Sequence, residues 1–181
     1  DMITESARLP NDVILTATHT HSGPGILPGR LGACSEEART LAANAAATAA
    51  RRALDSAGGC TLEWLEPAMP GLAHDRRRRR VAWDAQLRAL RWKSGGYVTG
   101  YLVSYPCHPS IIGSTNTHLS PDYPGYLRTR IQEATGCPVI FLTGCAGDVN
   151  AGYSERAARI PGERAGVPPS GGVDRARSLA G

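Results

Sequence analysis

Lysine and phenylalanine are nearly absent from this sequence, with one residue of each among 181. The basic charge is therefore carried by arginine, and 20 basic against 16 acidic side chains leave a formal net charge of only +4. Aromatic residues make up 6% of the chain, so few side chains are available to stack on nucleic-acid bases. This composition, rich in alanine, glycine and arginine, argues against a nucleic-acid-binding protein.

Long apolar runs and paired cysteines are also missing. No stretch of about eighteen or more apolar residues occurs, so the sequence predicts no transmembrane segment. The five cysteines are an odd number without a Cys-x-x-Cys pair, which argues against a complete disulfide framework and against a cysteine-type zinc site. The 181 residues are enough for one domain with a sizeable core.

Hydrophobic periodicity predicts strands and helices that alternate along the chain. A β-branched, apolar run that begins at Val13 predicts a buried strand. Ser35-Glu36-Glu37 is expected to open a long helix with Ser35 as its N-cap and an alanine-rich body over residues 38–57. A second helix is predicted over residues 123–135. Further strands are predicted over residues 60–65, 87–92, 97–105 and 139–142. Residues 92–97, with Gly95 and Gly96, predict a hairpin turn between the second and third of these strands. We therefore expect an α/β fold with a mixed β-sheet core and flanking helices.

The two ends of the sequence differ in character from its middle. We expect residues 1–151 to form the α/β domain, and residues 152–181 to be an irregular tail, rich in Gly, Pro and Arg, that leads into a truncated helix. The first residue is Asp rather than Met, and the tail stops without a helix end. We therefore expect the chain to be a fragment of a larger catalytic domain.

Polar side chains follow the apolar segments at several points. His19 and His21 come at the end of the first predicted strand, where alternation would place both imidazoles on one face. His108 stands just beyond a later strand, Asp122 lies at a helix N-terminus, and Asp148 follows the last strand. In open α/β sheets such strand ends line the crevice in which ligands bind.

Each of these residues also has an ordinary structural explanation. One of the paired histidines could be a hydrogen-bonded core residue and the other a surface residue, while Asp122 could cap its helix and Asp148 could hold a turn. Taken together, neutral imidazoles at strand ends with a few oxygen ligands suit zinc, with a position left open for water. A zinc ion lowers the pKa of its water and polarises a carbonyl, so hydrolysis is the expected reaction.

Four motifs in chain order carry a family resemblance. They are Thr-His-Thr-His-Ser-Gly-Pro-Gly at 18–25, Cys-His-Pro at 107–109, Ser-Pro-Asp-Tyr-Pro-Gly-Tyr at 120–126 and Gly-Cys-Ala-Gly-Asp-Val-Asn at 144–150. Together they resemble the neutral/alkaline non-lysosomal ceramidase family, over about residues 13–150. The resemblance implies an α/β catalytic domain with one zinc ion. It also implies a zinc amidase of sphingolipid metabolism, which splits the N-acyl bond of ceramide into sphingosine and a fatty acid.

The resemblance implies roles for individual residues as well. His19 and His108 match the two zinc-binding histidines of the family, and His21 matches a neighbouring histidine that faces the substrate. Arg76, the first of five consecutive arginines, matches an arginine of the substrate pocket, and Asp122 is a second substrate-binding candidate. If His19 and His108 share one zinc ion, their ring nitrogens must lie within about 4 Å of each other.

Two departures from the family pattern affect the expected chemistry. Gly144 stands where the ceramidases carry the serine that has been assigned as nucleophile, so water remains as the nucleophile. His21 and Asp148 are then the candidates for accepting the proton of that water. The other two zinc ligands of the family, a Glu and a Tyr, would lie beyond Gly181, so we expect this chain alone to hydrolyse ceramide poorly.

Two other hypotheses compete with the zinc hydrolase. The arginines at 76–80 could form a basic surface that binds the phosphate of an anionic lipid. The chain could instead be an inactive or incomplete scaffold that keeps a ceramidase-like fold without its chemistry. The zinc hypothesis expects a small-molecule or lipid amide as the partner. Nucleic acid is not expected, because no aromatic residue that could stack on bases lies within the arginine run, and the nearest one is Trp83.

Overall fold

The computed structural model describes residues 13–29, 34–69, 72–75, 80–81, 85–112 and 116–151. These residues fall into two compact units. The first unit contains residues 13–16 and Pro24–Gly59, and the second contains Ala17–Gly23 and the residues from Cys60 onward. Every candidate site residue that the structure describes belongs to the second unit.

The first unit contains helix α1, Glu36–Asp55, which begins where the sequence predicted and ends two residues before the predicted end at Ala57. Ser35 caps the helix as expected, since its side-chain oxygen accepts a hydrogen bond of 3.1 Å from the backbone N–H of Ala38. The helix ends at Asp55, and both the backbone N–H and the hydroxyl of Ser56 donate to the carbonyl oxygen of Arg52, at 3.1 Å and 2.8 Å. Within the described residues no helix is long and apolar enough to cross a membrane.

The second unit combines strands with a helix in its described part. In chain order they are β1 (Thr61–Leu65), β2 (His74–Asp75), β3 (Arg80–Val81), β4 (Arg88–Ser94), β5 (Tyr97–Tyr105), α2 (Asp122–Thr135), β6 (Val139–Thr143) and β7 (Val149–Asn150). The main sheet has the strand order β1-β4-β5-β6. Strand β4 pairs antiparallel with β1 and β5, whereas β5 and β6 are parallel. The prediction of an α/β fold with a mixed sheet is therefore confirmed.

Strands β4 and β5 form the hairpin that the sequence predicted. Gly95 and Gly96 occupy the two turn positions with φ angles of 58° and 85°. A two-residue hairpin turn with positive φ at both positions matches the right-handed twist of the strands, and glycine adopts this conformation without steric cost. The turn thus fixes the register in which Ser94 pairs with Tyr97.

Helix α2 connects the parallel strands β5 and β6 and packs against them. Its residues Tyr123 and Leu127 are buried together with Val103, Tyr105 and Phe141 of the two strands. The ring of Tyr123 stands perpendicular to those of both strand aromatics, an arrangement that aromatic pairs favour. Because β5 and β6 run in the same direction, their carboxyl ends lie side by side, with Tyr105 opposite Thr143.

A small second sheet includes the strand that follows β6 in the chain. It has the strand order β3-β2-β7, and all of its pairs are antiparallel. His74 pairs with Asn150 and Asp75 pairs with Val149. Strand β7 therefore ties the segment that follows β6 to residues that precede the main hairpin.

The predicted strand that begins at Val13 is not present. Residues 13–20 have no regular secondary structure, and the side chains of Ile14 and Leu15 are 88% and 64% exposed. A β-branched sequence favours extended backbone, but a strand forms only where a neighbouring strand accepts its hydrogen bonds. Among the described residues no strand pairs with this segment.

Candidate metal centre

The candidate site lies just beyond the carboxyl ends of β5 and β6. His108 follows β5 by three residues, and its backbone N–H donates to the carbonyl oxygen of Val149 at 2.9 Å. After β6, the N–H of Gly144 donates to the carbonyl oxygen of Tyr105 at 3.1 Å. The second bond continues the parallel pairing by one residue, and the first joins the loop after β5 to β7, so the loops that carry the candidate residues are held close to each other.

The segment that carries His19 and His21 is fixed to this edge by its other residues. The carbonyl oxygen of Thr18 accepts a hydrogen bond from the hydroxyl of Thr143 at 2.7 Å. The hydroxyl of Thr20 donates to the carbonyl oxygen of Ser120 at 2.7 Å. The backbone of His21 is also held, since its N–H donates to the carbonyl oxygen of Pro109 at 3.2 Å. The segment is therefore anchored at three points although it is not a strand.

His19 adopts a left-handed backbone conformation with a φ angle of 64°. This conformation costs a residue with a side chain about 1–2 kcal/mol, and it persists only where surrounding contacts enforce it. Among the described non-glycine residues, Asp122 is the other one with positive φ, at 54°. The two histidines thus come together through a bend at His19, not through the alternation of a strand that their spacing suggested.

The imidazole rings of three histidines form one cluster. The ring centroids of His19, His21 and His108 lie 4.8–5.3 Å apart, and one ring nitrogen from each lies within 4.8 Å of the others. The Nε2 atoms of His19 and His108 are separated by 3.1 Å. The expectation that these two nitrogens lie within about 4 Å, as a shared zinc ion requires, is therefore confirmed.

A backbone hydrogen bond determines which nitrogen of His108 is available. Its Nδ1 lies 2.7 Å from the carbonyl oxygen of Ala146, which can only accept a hydrogen bond. Nδ1 must therefore carry the proton, and in the neutral ring the lone pair is on Nε2, the atom that faces His19. Metal-binding histidines are commonly oriented in this way by a backbone carbonyl.

The spacing of the cluster fits a zinc ion between His19 and His108. Two nitrogens that bind one zinc ion tetrahedrally at about 2.0–2.1 Å lie roughly 3.3–3.4 Å apart, and the observed separation is 3.1 Å. Two ligands of one zinc ion are at most about 4.2 Å apart, whereas the whole cluster spans 4.8 Å. In the observed arrangement the three nitrogens are therefore too far apart for all of them to bind one zinc ion. His19 and His21 are exposed and His108 is half-buried, so the centre is open to solvent.

Asp122 lies inside the protein instead of lining the open centre. Its carboxylate has no exposed surface and accepts hydrogen bonds from the backbone N–H groups of Ile111 and Ile112, both at 3.0 Å, and of Tyr123 at 2.6 Å. Burial raises the pKa of this carboxyl, and the three hydrogen bonds offset part of that rise. These contacts favour the structural explanation, in which Asp122 joins the loop after His108 to the start of α2.

The two remaining predicted site residues, Asp148 and Arg76, are not part of the histidine cluster that the structure describes. Asp148 is half-buried between Ala146 and Val149, whose carbonyl oxygens both contact His108, but it is not a member of the histidine cluster. Arg76 lies outside the described residues, as do the three arginines that follow it. The roles of Asp148 and Arg76 therefore stay predictions.

Two contributors to the site were not recognised from the sequence. The carbonyl oxygen of Ala146 orients His108, and the hydroxyl of Thr143 holds the backbone next to His19. A backbone carbonyl leaves no mark in the residue type. Thr143 did carry a signal, because a lone hydroxyl at the end of an otherwise apolar strand is placed to bond a neighbouring loop.

No protein-family model and no curated protein matches this sequence. Its structure, however, is similar to solved ceramidases. A neutral ceramidase from Pseudomonas aeruginosa matches 99% of this chain with a TM-score of 0.76 and 20% sequence identity. A ceramidase complexed with C2 matches 99% of the chain with a TM-score of 0.74, also at 20% identity. The chain spans about a third of the length of these proteins, 32% and 31%. The similarity shows that this chain has a ceramidase-like fold.

Proposed function

We propose that this protein is a zinc-dependent hydrolase of ceramidase type, which cleaves the N-acyl bond of an amide substrate. The observation that carries the proposal is the pair of Nε2 atoms of His19 and His108, 3.1 Å apart, with the imidazole of His21 beside them. In this proposal His19 and His108 hold the metal. A bound zinc ion supplies polarisation of the substrate carbonyl and a lowered pKa of the attacking water.

A further side chain of the centre must accept the proton of the attacking water. We assign His21 as the proton acceptor, because it is an exposed member of the cluster that stands outside the 3.1 Å pair of His19 and His108. The proton it takes from water is then available to the amine that leaves when the C–N bond breaks. Asp148 is the second candidate for this role, since it lies on the loop whose carbonyl groups orient His108.

Water is the nucleophile in this proposal because position 144 offers no hydroxyl. A Cβ atom added to Gly144 would come within 3.1 Å of the backbone nitrogen and Cα of Pro106. That separation is tighter than an ordinary contact, so the backbone at Pro106 would have to move before a serine could be accommodated. The absence of a hydroxyl at position 144 supports direct hydrolysis over a covalent acyl-enzyme.

The substrate class we propose is a lipid or small-molecule amide, with ceramide as the first compound to test. Two solved proteins with a similar fold are ceramidases. Arg76 keeps its proposed role in substrate binding, whereas the buried contacts of Asp122 support a structural role for that residue. No described contact supports the alternative of a basic lipid-binding surface, because most of the arginine run lies outside the described residues.

The proposal is tested by measuring hydrolysis of ceramide and of simple N-acyl amides by the metal-free chain, with zinc added back and with a chelator. We expect slow hydrolysis that depends on zinc and is abolished by the chelator. His19→Ala and His108→Ala should remove the activity, whereas His118→Ala should keep it, because His118 is an exposed histidine outside the cluster. Turnover that resists the chelator would contradict the metal mechanism. Zinc-loaded protein that cleaves none of these amides would support the inactive scaffold.

A further inference from the structure

The left-handed conformation of His19 needs a specific restraint, and the structure contains one. The φ angle of His19 describes rotation between its Cα and the peptide unit that joins it to Thr18. The carbonyl oxygen of that peptide unit is the group that accepts the 2.7 Å hydrogen bond from the hydroxyl of Thr143. The hydroxyl therefore fixes the orientation of the peptide plane on which the φ angle of 64° depends.

Thr143 is well placed to act as a rigid support. It is the last residue of β6, where it pairs with Tyr105 of β5, and the next N–H along the chain donates to Tyr105 as well. It is half-buried, and its hydroxyl is already engaged as a donor, so it does not replace the serine that is missing at Gly144. Because the backbone of Thr143 is held by the sheet and its hydroxyl bonds one carbonyl group of the loop, the sheet determines where that carbonyl group lies.

We propose that Thr143 is a positioning residue of the candidate metal centre. Its hydroxyl holds the Thr18–His19 peptide in the orientation that brings the Nε2 of His19 to within 3.1 Å of the Nε2 of His108. This inference rests on the proposed function in one respect, namely that these two nitrogens bind a metal. Thr143 itself contacts neither the metal nor the substrate.

The test is the affinity of the metal-free chain for Zn²⁺ and Co²⁺, measured by competition with a chromophoric chelator. The visible absorption of bound Co²⁺ reports the coordination geometry. Thr143→Val keeps the shape of the side chain without its hydroxyl, and Thr143→Ser keeps the hydroxyl. The matched control is Thr135→Val, which removes a 2.7 Å hydroxyl-to-carbonyl hydrogen bond at the end of α2.

We expect Thr143→Val to weaken metal binding about 10–100-fold, as loss of a group that orients a ligand commonly does, and to change the Co²⁺ spectrum. Thr143→Ser should stay within a few-fold of the wild type, and Thr135→Val should leave both readouts unchanged. If Thr143→Val does not fold, Thr143→Ala removes the hydroxyl without the extra methyl group. Wild-type metal affinity in a folded variant without the hydroxyl would overturn the proposal, as would equal losses in the serine and valine variants.

The two proposals fail in distinguishable ways. If the wild type hydrolyses amides with zinc and Thr143→Val binds metal as the wild type does, the positioning role is wrong and the proposed function stands. If no amide is cleaved but metal affinity falls in Thr143→Val and returns in Thr143→Ser, the positioning role stands and the proposed function is wrong. A wild-type chain that binds neither metal overturns both.

Discussion

At the scale of single residues, the chemistry of the candidate centre depends on which ring nitrogen of each histidine carries a lone pair. For His108 the carbonyl oxygen of Ala146 decides this, because it can only accept a hydrogen bond and Nδ1 must therefore carry the proton. The same ring then presents Nε2 to His19. His21 belongs to the same cluster, and in the proposed function it accepts a proton while the other two hold the metal.

The distinction between ligand and proton acceptor predicts how His21→Ala should behave. Because His19 and His108 hold the metal in our account, the variant should keep zinc affinity within a few-fold of the wild type. Hydrolysis should fall by about 10²–10⁴-fold, the usual contribution of a general base. The measurements are zinc affinity by chelator competition and the initial rate of amide hydrolysis. A parallel loss of affinity and rate, as in His108→Ala, would make His21 a metal ligand instead.

The buried carboxylate of Asp122 predicts a change in stability. Asp122→Asn offers one oxygen to three backbone N–H groups, so we expect the free energy of unfolding to fall by about 2–3 kcal/mol relative to the wild type. Urea denaturation measures this, with Asp55→Asn in α1 as the control for removing an exposed negative charge. A loss no larger than that of the control would contradict the structural role of Asp122.

The loss of unfolding free energy caused by Asp122→Asn should depend on pH, and the structure predicts the direction of that dependence. Burial raises the folded-state pKa of Asp122 above its ordinary value of 3.8, so the folded protein binds this proton more readily than the unfolded chain does. The resulting stabilisation is complete below pH 3.8 and is lost as the pH rises through the raised folded-state pKa. The difference in unfolding free energy between the wild type and Asp122→Asn should therefore be larger in acid than at neutral pH. A difference that grows with pH would contradict this assignment.

Residue spacing predicted the members of the cluster but not the path of the backbone through it. His19 and His21 were expected on one face of a strand, yet the segment is irregular and bends at His19. Residue types reveal which side chains can bind metal. They do not reveal a positive φ angle that is imposed by a hydrogen bond from Thr143, a residue far along the chain.

At the scale of elements, the crossover from β5 through α2 to β6 positions the site. Parallel pairing puts the carboxyl ends of both strands at one edge, and the loops that follow them carry His108 and Asp148. These elements were predicted from local signals, namely the Gly95-Gly96 turn, the apolar strands and the residues before α2. The strand at Val13 was predicted from the same type of signal but has no partner, which local sequence cannot supply.

The attachment of α2 to the loop after β5 can be tested at one hydroxyl. The buried Tyr123 donates to the carbonyl oxygen of Cys107 at 2.6 Å, directly before His108. Tyr123→Phe should lower the free energy of unfolding by about 1–3 kcal/mol, because it removes a buried hydrogen bond without changing the ring. Tyr97→Phe, at an 80% exposed tyrosine of the hairpin, is the matched control. Equal urea midpoints for the two variants would show that the hydroxyl of Tyr123 contributes no more than an exposed one.

At the scale of the whole molecule, the fold is similar to that of solved ceramidases although the sequence identity is low. The chain is 20% identical to the ceramidases whose structures it matches, and no family model matches it. The fold is kept because a buried set of apolar residues tolerates many substitutions of similar size. The short motifs at strand ends were what connected this sequence with that fold, since these positions carry polar residues that packing alone does not require.

The proposed chemistry depends on a zinc ion bound between His19 and His108. X-ray absorption at the zinc edge of the zinc-loaded chain measures this directly. We predict nitrogen ligands at about 2.0–2.1 Å, with the multiple-scattering signature of two imidazole rings that disappears in the His19→Ala, His108→Ala double variant. A zinc shell of oxygen atoms without imidazole, or a spectrum that the double substitution leaves unchanged, would contradict the account.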